Sequence, residues 1–189
     1  MLYDRDIREF IYDFLEDRYG KVRIIEEKMM GRSRADVVMV MTDAIMGIEI
    51  KSDADTYARL KRQVRDYNQF YDRNYVVVGT THAMHIEEHV PDFWGIITAE
   101  WEGDVVDFYV RREAKINPKM KLKKKLSILW REELAHIQQL NGMYKYRDKS
   151  KAFVVEKILE KVPPEVLAAQ VSEELFERDY SRRMDVQQT

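Results

Sequence analysis

Apolar residues recur along the first 110 positions with two periods, one typical of helices and one typical of strands. A spacing of three and four residues predicts an amphipathic helix from Tyr3 to Arg18, which Gly20 ends. The same spacing predicts a second helix that begins among several possible N-cap residues at 52–56 and continues to Tyr71. Alternating or continuous apolar runs predict strands at 22–29, 37–41, 45–50, 75–78, 94–99 and 105–110.

The later part of the chain has mainly helical patterns. Thr80 or Thr81 is expected to cap a short helix up to Val90, which Pro91 ends. Three further helices are predicted, the last with a proline at its start, at 122–140, 150–161 and 164–178.

This order of elements predicts an α/β protein whose core is a helix, three strands, a helix and a strand. The strand at 75–78 is apolar throughout, so we expect it to lie centrally in a mixed sheet, beside a parallel neighbour. We expect residues 1–112 to form this core and residues 113–189 to form a basic linker and a helical C-terminal region.

The composition narrows the class of protein. The chain has 189 residues, enough for one domain with a real core, or for a domain with an appendage. It has no cysteine, which excludes a disulfide scaffold and cysteine-ligated zinc and fits the cytoplasm, where we expect the protein. No apolar run approaches membrane-spanning length, so no membrane partner is expected. The charged start MLYDRDIREF is unlike a secretory signal.

Asp36, Glu49 and Lys51 lie on two short apolar runs that a turn separates. Side chains alternate along a strand, so Glu49 and Lys51 share one face while Ile48 and Ile50 point into the core. A hairpin would bring the Asp36 carboxylate near that of Glu49. Two carboxylates suit Mg²⁺ or Mn²⁺, which prefer hard oxygen ligands. A lysine beside them could orient the attacking water or stabilise the transition state.

The E-x-K pattern alone is weak, because a chain this charged should contain one or two chance matches. Glu26-Glu27-Lys28 and Glu113-Ala114-Lys115 match it too, and neither is assigned this role. A solvated strand face with a Glu–Lys pair would produce the same pattern. The hairpin, the upstream acid and the helix that follows favour a metal site at Glu49-Ile50-Lys51.

Gln63 and Tyr67 are four residues apart, so they occupy one face of the second helix. This helix starts just after Lys51, so Gln63 could bind a metal-bound water or DNA. The plainer alternative is that Tyr67 is a core residue that Gln63 borders.

The motifs Arg34-Ala35-Asp36, Glu49-Ile50-Lys51, Gln63 to Tyr67 and Tyr75 to Val78 together resemble those of the PD-(D/E)XK nuclease superfamily. The Gln63 to Tyr67 segment is similar to the Q-x-x-x-Y element of its RecB-like branch, and the whole pattern is similar to the sce7726 family of bacteria and phages. The resemblance spans residues 1–110 and continues more loosely around Leu129–Leu134. Ala35 stands where the superfamily has its eponymous proline, a position that carries no chemistry.

The resemblance implies a restriction-endonuclease-like core and a divalent-metal-dependent deoxyribonuclease. Asp36 and Glu49 would bind Mg²⁺ or Mn²⁺, with the Ile50 carbonyl as a further ligand, while Lys51 and Gln63 would support catalysis. The superfamily also draws an acid from the first helix or the first strand. The candidates are Glu9, Glu26 and Glu27, and the sequence leaves the choice open because exposed glutamates are mostly solvated.

The net charge of −2 is unevenly distributed. Residues 1–110 carry 14 Lys and Arg against 22 Asp and Glu, whereas residues 111–189 carry 18 against 12. Between Arg111 and Lys125 there are eight basic residues and one acid. A nuclease needs cations along the DNA backbone, but a lysine run is equally typical of a solvated helix start. The nucleic-acid-binding residues expected are Arg34, Tyr67, Lys121, Lys123, Lys124 and Lys125.

Three hypotheses for the function remain open. The first is the DNA nuclease. The second is a catalytically silent module that keeps the fold and binds nucleic acid or a partner. In the third, the C-terminal helices are an adaptor for DNA or protein, or form a homodimer contact. Leu129–Leu140 and Ser150–Leu159 loosely resemble SAP-type DNA-binding modules, although two packed helices explain that pattern equally well.

Overall fold

The computed structural model describes residues 1–179. The helices are α1 Asp4–Tyr19, α2 Leu60–Phe70, α3 Leu122–Leu126, α4 Arg131–Leu140, α5 Lys151–Lys161 and α6 Pro164–Phe176. The strands are β1 Arg23–Met30, β2 Ser33–Val40, β3 Ile45–Lys51, β4 Arg73–Gly79, β5 Gly95–Glu102 and β6 Val105–Arg112. Short 3₁₀ turns lie at Tyr57–Arg59 and Ile86–Glu88. An α/β protein with C-terminal helices is therefore confirmed.

The six strands form one mixed sheet in the order β1-β2-β3-β4-β5-β6. The first three strands pair antiparallel, β4 is parallel to both β3 and β5, and β6 returns antiparallel to β5. The position of β4 confirms what its continuous apolar sequence predicts, since a strand between parallel neighbours is covered on both faces. Helix α2 makes the crossover from β3 to β4. Eight residues, including the 3₁₀ turn at Tyr57–Arg59, separate its start at Leu60 from the end of β3 at Lys51.

Each face of the sheet has its own hydrophobic cluster. On one face, Ile7, Ile11 and Leu15 of α1 pack against strand residues that include Ile48 and Ile50. On the other face lies α2, together with α4, α5 and α6. Alternation along β3 therefore sends Ile48 and Ile50 towards α1 and sends Glu49 and Lys51 the other way, as predicted. The sheet places the charged side chains of β3 on the face that α2 covers.

The C-terminal helices belong to the same hydrophobic cluster as α2, and a clamp of polar contacts fixes their end. Arg178 is buried and donates two hydrogen bonds of 2.6 Å to the Glu133 carboxylate, while its guanidinium lies 4.3 Å from the centre of the Trp130 ring. Arg23 of β1 donates to the carbonyls of Phe176 and Arg178. The helical region is thus fastened to the first strand, and the expected division at residue 112 stays a prediction.

Two predicted helices differ from the structure. The segment from Thr80 to Val90 forms turns, with only a short 3₁₀ turn at Ile86–Glu88. The amide and hydroxyl of Thr81 donate to the Asp53 carboxylate, at 3.1 and 2.7 Å, which removes the expected helix cap. The continuous helix predicted at 122–140 is divided into α3 and α4.

A long-range contact and a local helix cap lie where α3 and α4 are divided. The Ile128 carbonyl accepts from Arg178, fifty positions later in the chain. The Trp130 amide donates to the Glu133 carboxylate at 2.5 Å and so begins a new helix.

None of the helices in residues 1–179 has the length and apolar character that a membrane span requires.

Candidate functional site

The register of the first three strands places acids in one row. Glu26 pairs with Val37 and Lys28 with Ala35, so Glu27 lies opposite Asp36. Val37 pairs with Ile48, and the same register carried one residue further sets Asp36 against Glu49. Neighbouring strands lie about 4.8 Å apart, so this row brings the two predicted carboxylates close together.

Asp36 is held by two groups, a main-chain amide and a guanidinium. Its Oδ2 accepts a hydrogen bond of 2.9 Å from the Ile50 amide, which belongs to β3. Its Oδ1 lies 3.4 Å from a guanidinium nitrogen of Arg8, and that side chain also donates to the Asp36 carbonyl at 3.2 Å. The carboxylate is therefore oriented from β3 and from α1 at once.

Glu49 is completely buried and is bonded through one oxygen. Its Oε1 accepts from the Lys51 ammonium at 2.6 Å and from the Gln63 amide. Its Oε2 has no hydrogen-bond partner within residues 1–179, and neither has Oε1 of Gln63. Two buried acceptor oxygens without donors, beside a second carboxylate, are a donor set that suits a hard divalent cation.

Helix α2 supports this arrangement through Gln63 and Tyr67. The Tyr67 hydroxyl accepts from the Asp36 amide at 3.1 Å and donates to the Ile48 carbonyl at 3.0 Å. The four-residue spacing explains this, since both side chains leave the same face of α2. Tyr67 is fully buried, which corrects its assignment as a nucleic-acid-binding residue: it braces β2 against β3 from inside the fold.

These side chains border a cavity of about 540 Å³. Both acids and arginines line the cavity. Its lining includes Asp4, Arg8, Glu27, Arg34, Asp36, Glu49, Ile50, Lys51, Asp55, Arg59, Arg62 and Gln63. The structure therefore brings together all four residues predicted to be catalytic, and Arg34 with them.

The three candidates for a further acid differ in position. Glu27 lines the cavity, is exposed and forms an ion pair of 3.1 Å with Arg34. Its φ of 51° lies in the left-handed region, which a glutamate rarely adopts and which often marks a functional site. Glu9 is exposed and does not line the cavity, and Glu26 accepts from the Tyr12 hydroxyl at 2.5 Å. Of the three, only Glu27 reaches the cavity.

The electrostatics of the site favour a bound cation. Burial, reinforced by the neighbouring Asp36 charge, raises the pKa of Glu49 to about 7 despite the opposing Lys51. Burial also raises the pKa of Asp36, although the Ile50 amide and Arg8 counteract the shift. Two carboxylates that resist ionisation together would be neutralised by a divalent ion. No group of three or more His, Asp or Glu side chains in residues 1–179 is arranged to hold a metal, so other oxygens would have to complete its coordination.

The basic run at 121–125 does not act as one surface. Lys121 and Lys124 are exposed, and Lys123 is paired with Glu156 at 2.7 Å. Lys125 is only 1% exposed and forms an ion pair of 2.7 Å with Asp72. Its expected contact with nucleic acid is therefore wrong, because a buried and paired ammonium cannot reach a phosphate.

Sequence reasoning missed Arg8 and Asp4. Arg8 lies on α1 beside the buried Ile7, and it connects Asp36 to Asp4, which accepts from its Nε at 2.6 Å. The resemblance implies an acid on the first helix or first strand, but the direct contact of the first helix with Asp36 is made by a cation. The spacing of Asp4 and Arg8 by four residues was the one available signal.

Comparison with known proteins identifies the family. The family described as Bacteriophage P4 protein cII matches residues 2–187, nearly the whole chain, so the chain belongs to that family. Among solved structures, the chain is similar to SfsA of Pyrococcus furiosus in complex with Ca²⁺, with 14% identity and a TM-score of 0.34. That similarity covers 60% of this chain and 61% of the SfsA chain. Nothing among the curated proteins matches the chain.

Proposed function

We propose that this protein is a divalent-metal-dependent nuclease that hydrolyses phosphodiester bonds in DNA, with a core of the PD-(D/E)XK type. One observation carries the proposal: Asp36, Glu49, Lys51 and Gln63 border one cavity, and the buried Oε2 of Glu49 has no donor within the described residues. The resemblance of their motifs to the superfamily, and to its sce7726 family, supports the same conclusion.

Asp36 and Glu49 would hold Mg²⁺ or Mn²⁺, with the Ile50 carbonyl, Glu27, water and a phosphate oxygen as possible further ligands. The bound ion would acidify a coordinated water and neutralise charge on the scissile phosphate. The fold itself supplies orientation: the Ile50 amide and Arg8 fix Asp36, while Lys51 and Gln63 fix Glu49 through its Oε1. Because two donors already hold Oε1, the other oxygen of Glu49 is left for the ion.

Lys51 has a second role in this proposal. It is 4% exposed and lines the cavity, so its ammonium is held at the site with little freedom to move. A cation fixed where negative charge develops stabilises the transition state more than the ground state. Arg59 and Arg62 line the same cavity and are exposed, so they can contact the phosphates that flank the scissile bond.

The test is cleavage of linear duplex, circular duplex and single-stranded DNA with Mg²⁺ or Mn²⁺, with EDTA as the metal-free control. Lys51→Ala, shown by circular dichroism to be folded under the assay conditions, is the protein control, because it removes the cation and retains both carboxylates. Metal-dependent cleavage that Lys51→Ala loses would support the proposal. Absence of cleavage of all three DNAs at high enzyme concentration, by protein that binds Mn²⁺, would overturn it.

A second candidate function is that of a catalytically silent module that binds nucleic acid or a partner. The Arg8–Asp36 contact favours it, since a cation already compensates one carboxylate. So does the absence, within residues 1–179, of three acids arranged to hold a metal. The two candidates differ in metal binding. A silent module would bind DNA equally well with EDTA or Mn²⁺ and would show no Mn²⁺ binding that depends on Asp36 and Glu49.

A further inference from the structure

The exposed face of α2 carries cations and no carboxylate. Lys61, Arg62 and Arg65 are exposed, whereas Asp66, the one acid of this helix, is buried and accepts from the Ser33 hydroxyl at 2.5 Å. Positions 61, 62 and 65 lie within about 100° of one another around a helix axis, so these cations occupy the exposed half of α2.

A basic groove lies along one side of α2. It has a volume of about 750 Å³, and its lining contains Lys61, Arg65, Lys119 and Lys121 but no acid. The segment that carries Lys119 and Lys121 is fixed to α2, because the side-chain amide of Asn117 donates hydrogen bonds to the Asn68 and Tyr71 carbonyls, at 3.0 and 2.8 Å. The groove is therefore built into the fold and does not depend on a ligand to form.

The candidate catalytic cavity lies on the other side of α2, where Arg59 and Arg62 line it. Cations therefore lie on both sides of α2: Arg59 and Arg62 beside the carboxylates, and Lys61 and Arg65 in the groove. A helix with its side chains is about 10–12 Å wide, close to the width of about 12 Å of the DNA major groove. Phosphates of the two strands could therefore lie on the two sides of α2.

These cations are available for an external anion. Within residues 1–179, Lys61, Arg62, Lys119 and Lys121 make no ion pair with an acid, and Arg65 is 3.8 Å from the buried Asp66. By contrast, Lys123 and Lys125 are already paired with acids of the protein. Exposed cations on both sides of one helix form a surface that fits a polyanion.

We infer that duplex DNA lies across α2, with its phosphates bound by Arg59, Lys61, Arg62, Arg65, Lys119 and Lys121. This inference rests on the proposed function, because it treats the cavity as the place where the bound strand is cleaved. It divides the basic linker by function: Lys119 and Lys121 contact DNA, whereas Lys123 and Lys125, which are paired with acids of the protein, do not. Backbone contact of this kind is largely independent of base sequence.

The test measures binding without cleavage, so its failure is distinct from failure of the nuclease proposal. Fluorescence anisotropy in EDTA follows a labelled duplex of about 20 base pairs across a range of NaCl concentrations. The groove variant combines Lys61→Gln, Arg65→Gln, Lys119→Gln and Lys121→Gln. The control variant removes the same charge from exposed positions on the C-terminal helices and their connection, by Lys145→Gln, Arg147→Gln, Lys149→Gln and Lys161→Gln.

We expect the groove variant to bind at least about tenfold more weakly, and its plot of log affinity against log salt to be flatter by about three to four units. The control variant should keep the wild-type slope. Equal losses in the two variants, an unchanged slope in the groove variant, or wild-type protein that binds single strands more tightly than duplex would each overturn the inference. Circular dichroism confirms that both variants are folded. Loss of duplex binding in the groove variant would uphold the inference even if wild-type protein cleaves no DNA.

Discussion

The hydroxyl of Tyr67 accepts a hydrogen bond of 3.1 Å from the main-chain amide of Asp36. The same hydroxyl donates to the Ile48 carbonyl, so one side chain of α2 joins β2 and β3 beside the two candidate metal ligands. The contact explains why a tyrosine four residues after Gln63 accompanies this site although it never meets solvent.

Tyr67→Phe should therefore destabilise the protein by about 1–3 kcal/mol, because it leaves a buried amide and a buried carbonyl without their shared partner. Urea unfolding followed by tryptophan fluorescence measures the change. DNA affinity in EDTA should stay at the wild-type value, since the side chain is buried. If the variant kept full stability but bound DNA more weakly, Tyr67 would have to be assigned to the DNA-binding surface after all.

Asp36→Asn and Glu49→Gln test the carboxylates with nearly unchanged shape. Each should abolish Mn²⁺ binding measured by titration calorimetry and lower the cleavage rate at least about a hundredfold, since each removes a charged ligand. Both variants should still bind duplex DNA in EDTA. If either one binds Mn²⁺ with wild-type affinity, that carboxylate is not a ligand.

Glu27 is the further acid that we expect to matter. Glu27→Gln should reduce the cleavage rate in Mn²⁺, because this side chain alone among the three candidates lines the cavity. Glu9→Gln and Glu26→Gln are matched controls that should cleave at the wild-type rate. If only Glu9→Gln lost cleavage activity, the further acid would be Glu9 on α1. If only Glu26→Gln lost it, the further acid would be Glu26 on β1.

Lys51→Ala should lose turnover and also stability. The lysine is buried and lies 2.6 Å from Glu49, and removal of one partner of a buried ion pair costs about 3–5 kcal/mol. Because the cost comes from the uncompensated Glu49 carboxylate, Mn²⁺ should restore part of the stability lost, as thermal unfolding with and without the ion would show. Restored stability together with wild-type turnover would exclude a catalytic role.

The metal-free protein should lose stability as the pH rises. The pKa of Glu49 is raised from 4.5 to about 7 in the folded state, so the folded protein binds more protons than the unfolded chain between these values. The free energy of unfolding therefore falls from about pH 4.5 to about pH 7, by on the order of 3 kcal/mol from this group.

Urea unfolding in EDTA at a series of pH values checks this decline. Glu49→Gln should flatten it, because the substituted side chain does not titrate in this range. Wild-type protein whose stability rises steadily from pH 4.5 to 7 would contradict the assigned environment of Glu49.

The sequence predicts those parts of the site that depend on local periodicity. Alternation along β3 is enough to place Glu49 and Lys51 on one face, and helical spacing is enough to place Gln63 beside Tyr67. It does not predict Arg8, because the contact with Asp36 depends on how α1 crosses the sheet. Local patterns do not predict the Asp53–Thr81 and Ile128–Arg178 contacts either, because each joins distant parts of the chain. The first lies where a helix up to Val90 is expected, and the second lies where the helix expected at 122–140 is interrupted.

The row of Glu27, Asp36 and Glu49 across three strands has a consequence for the lengths of these segments. One residue inserted in β2 between Asp36 and the turn at 41–44 would slip the pairing by one and turn the carboxylate to the opposite face. The same insertion within the turn would leave every carboxylate in place. We therefore expect length variation among related chains to be confined to the turns, and a deletion inside β2 to abolish the site as completely as the loss of its acids.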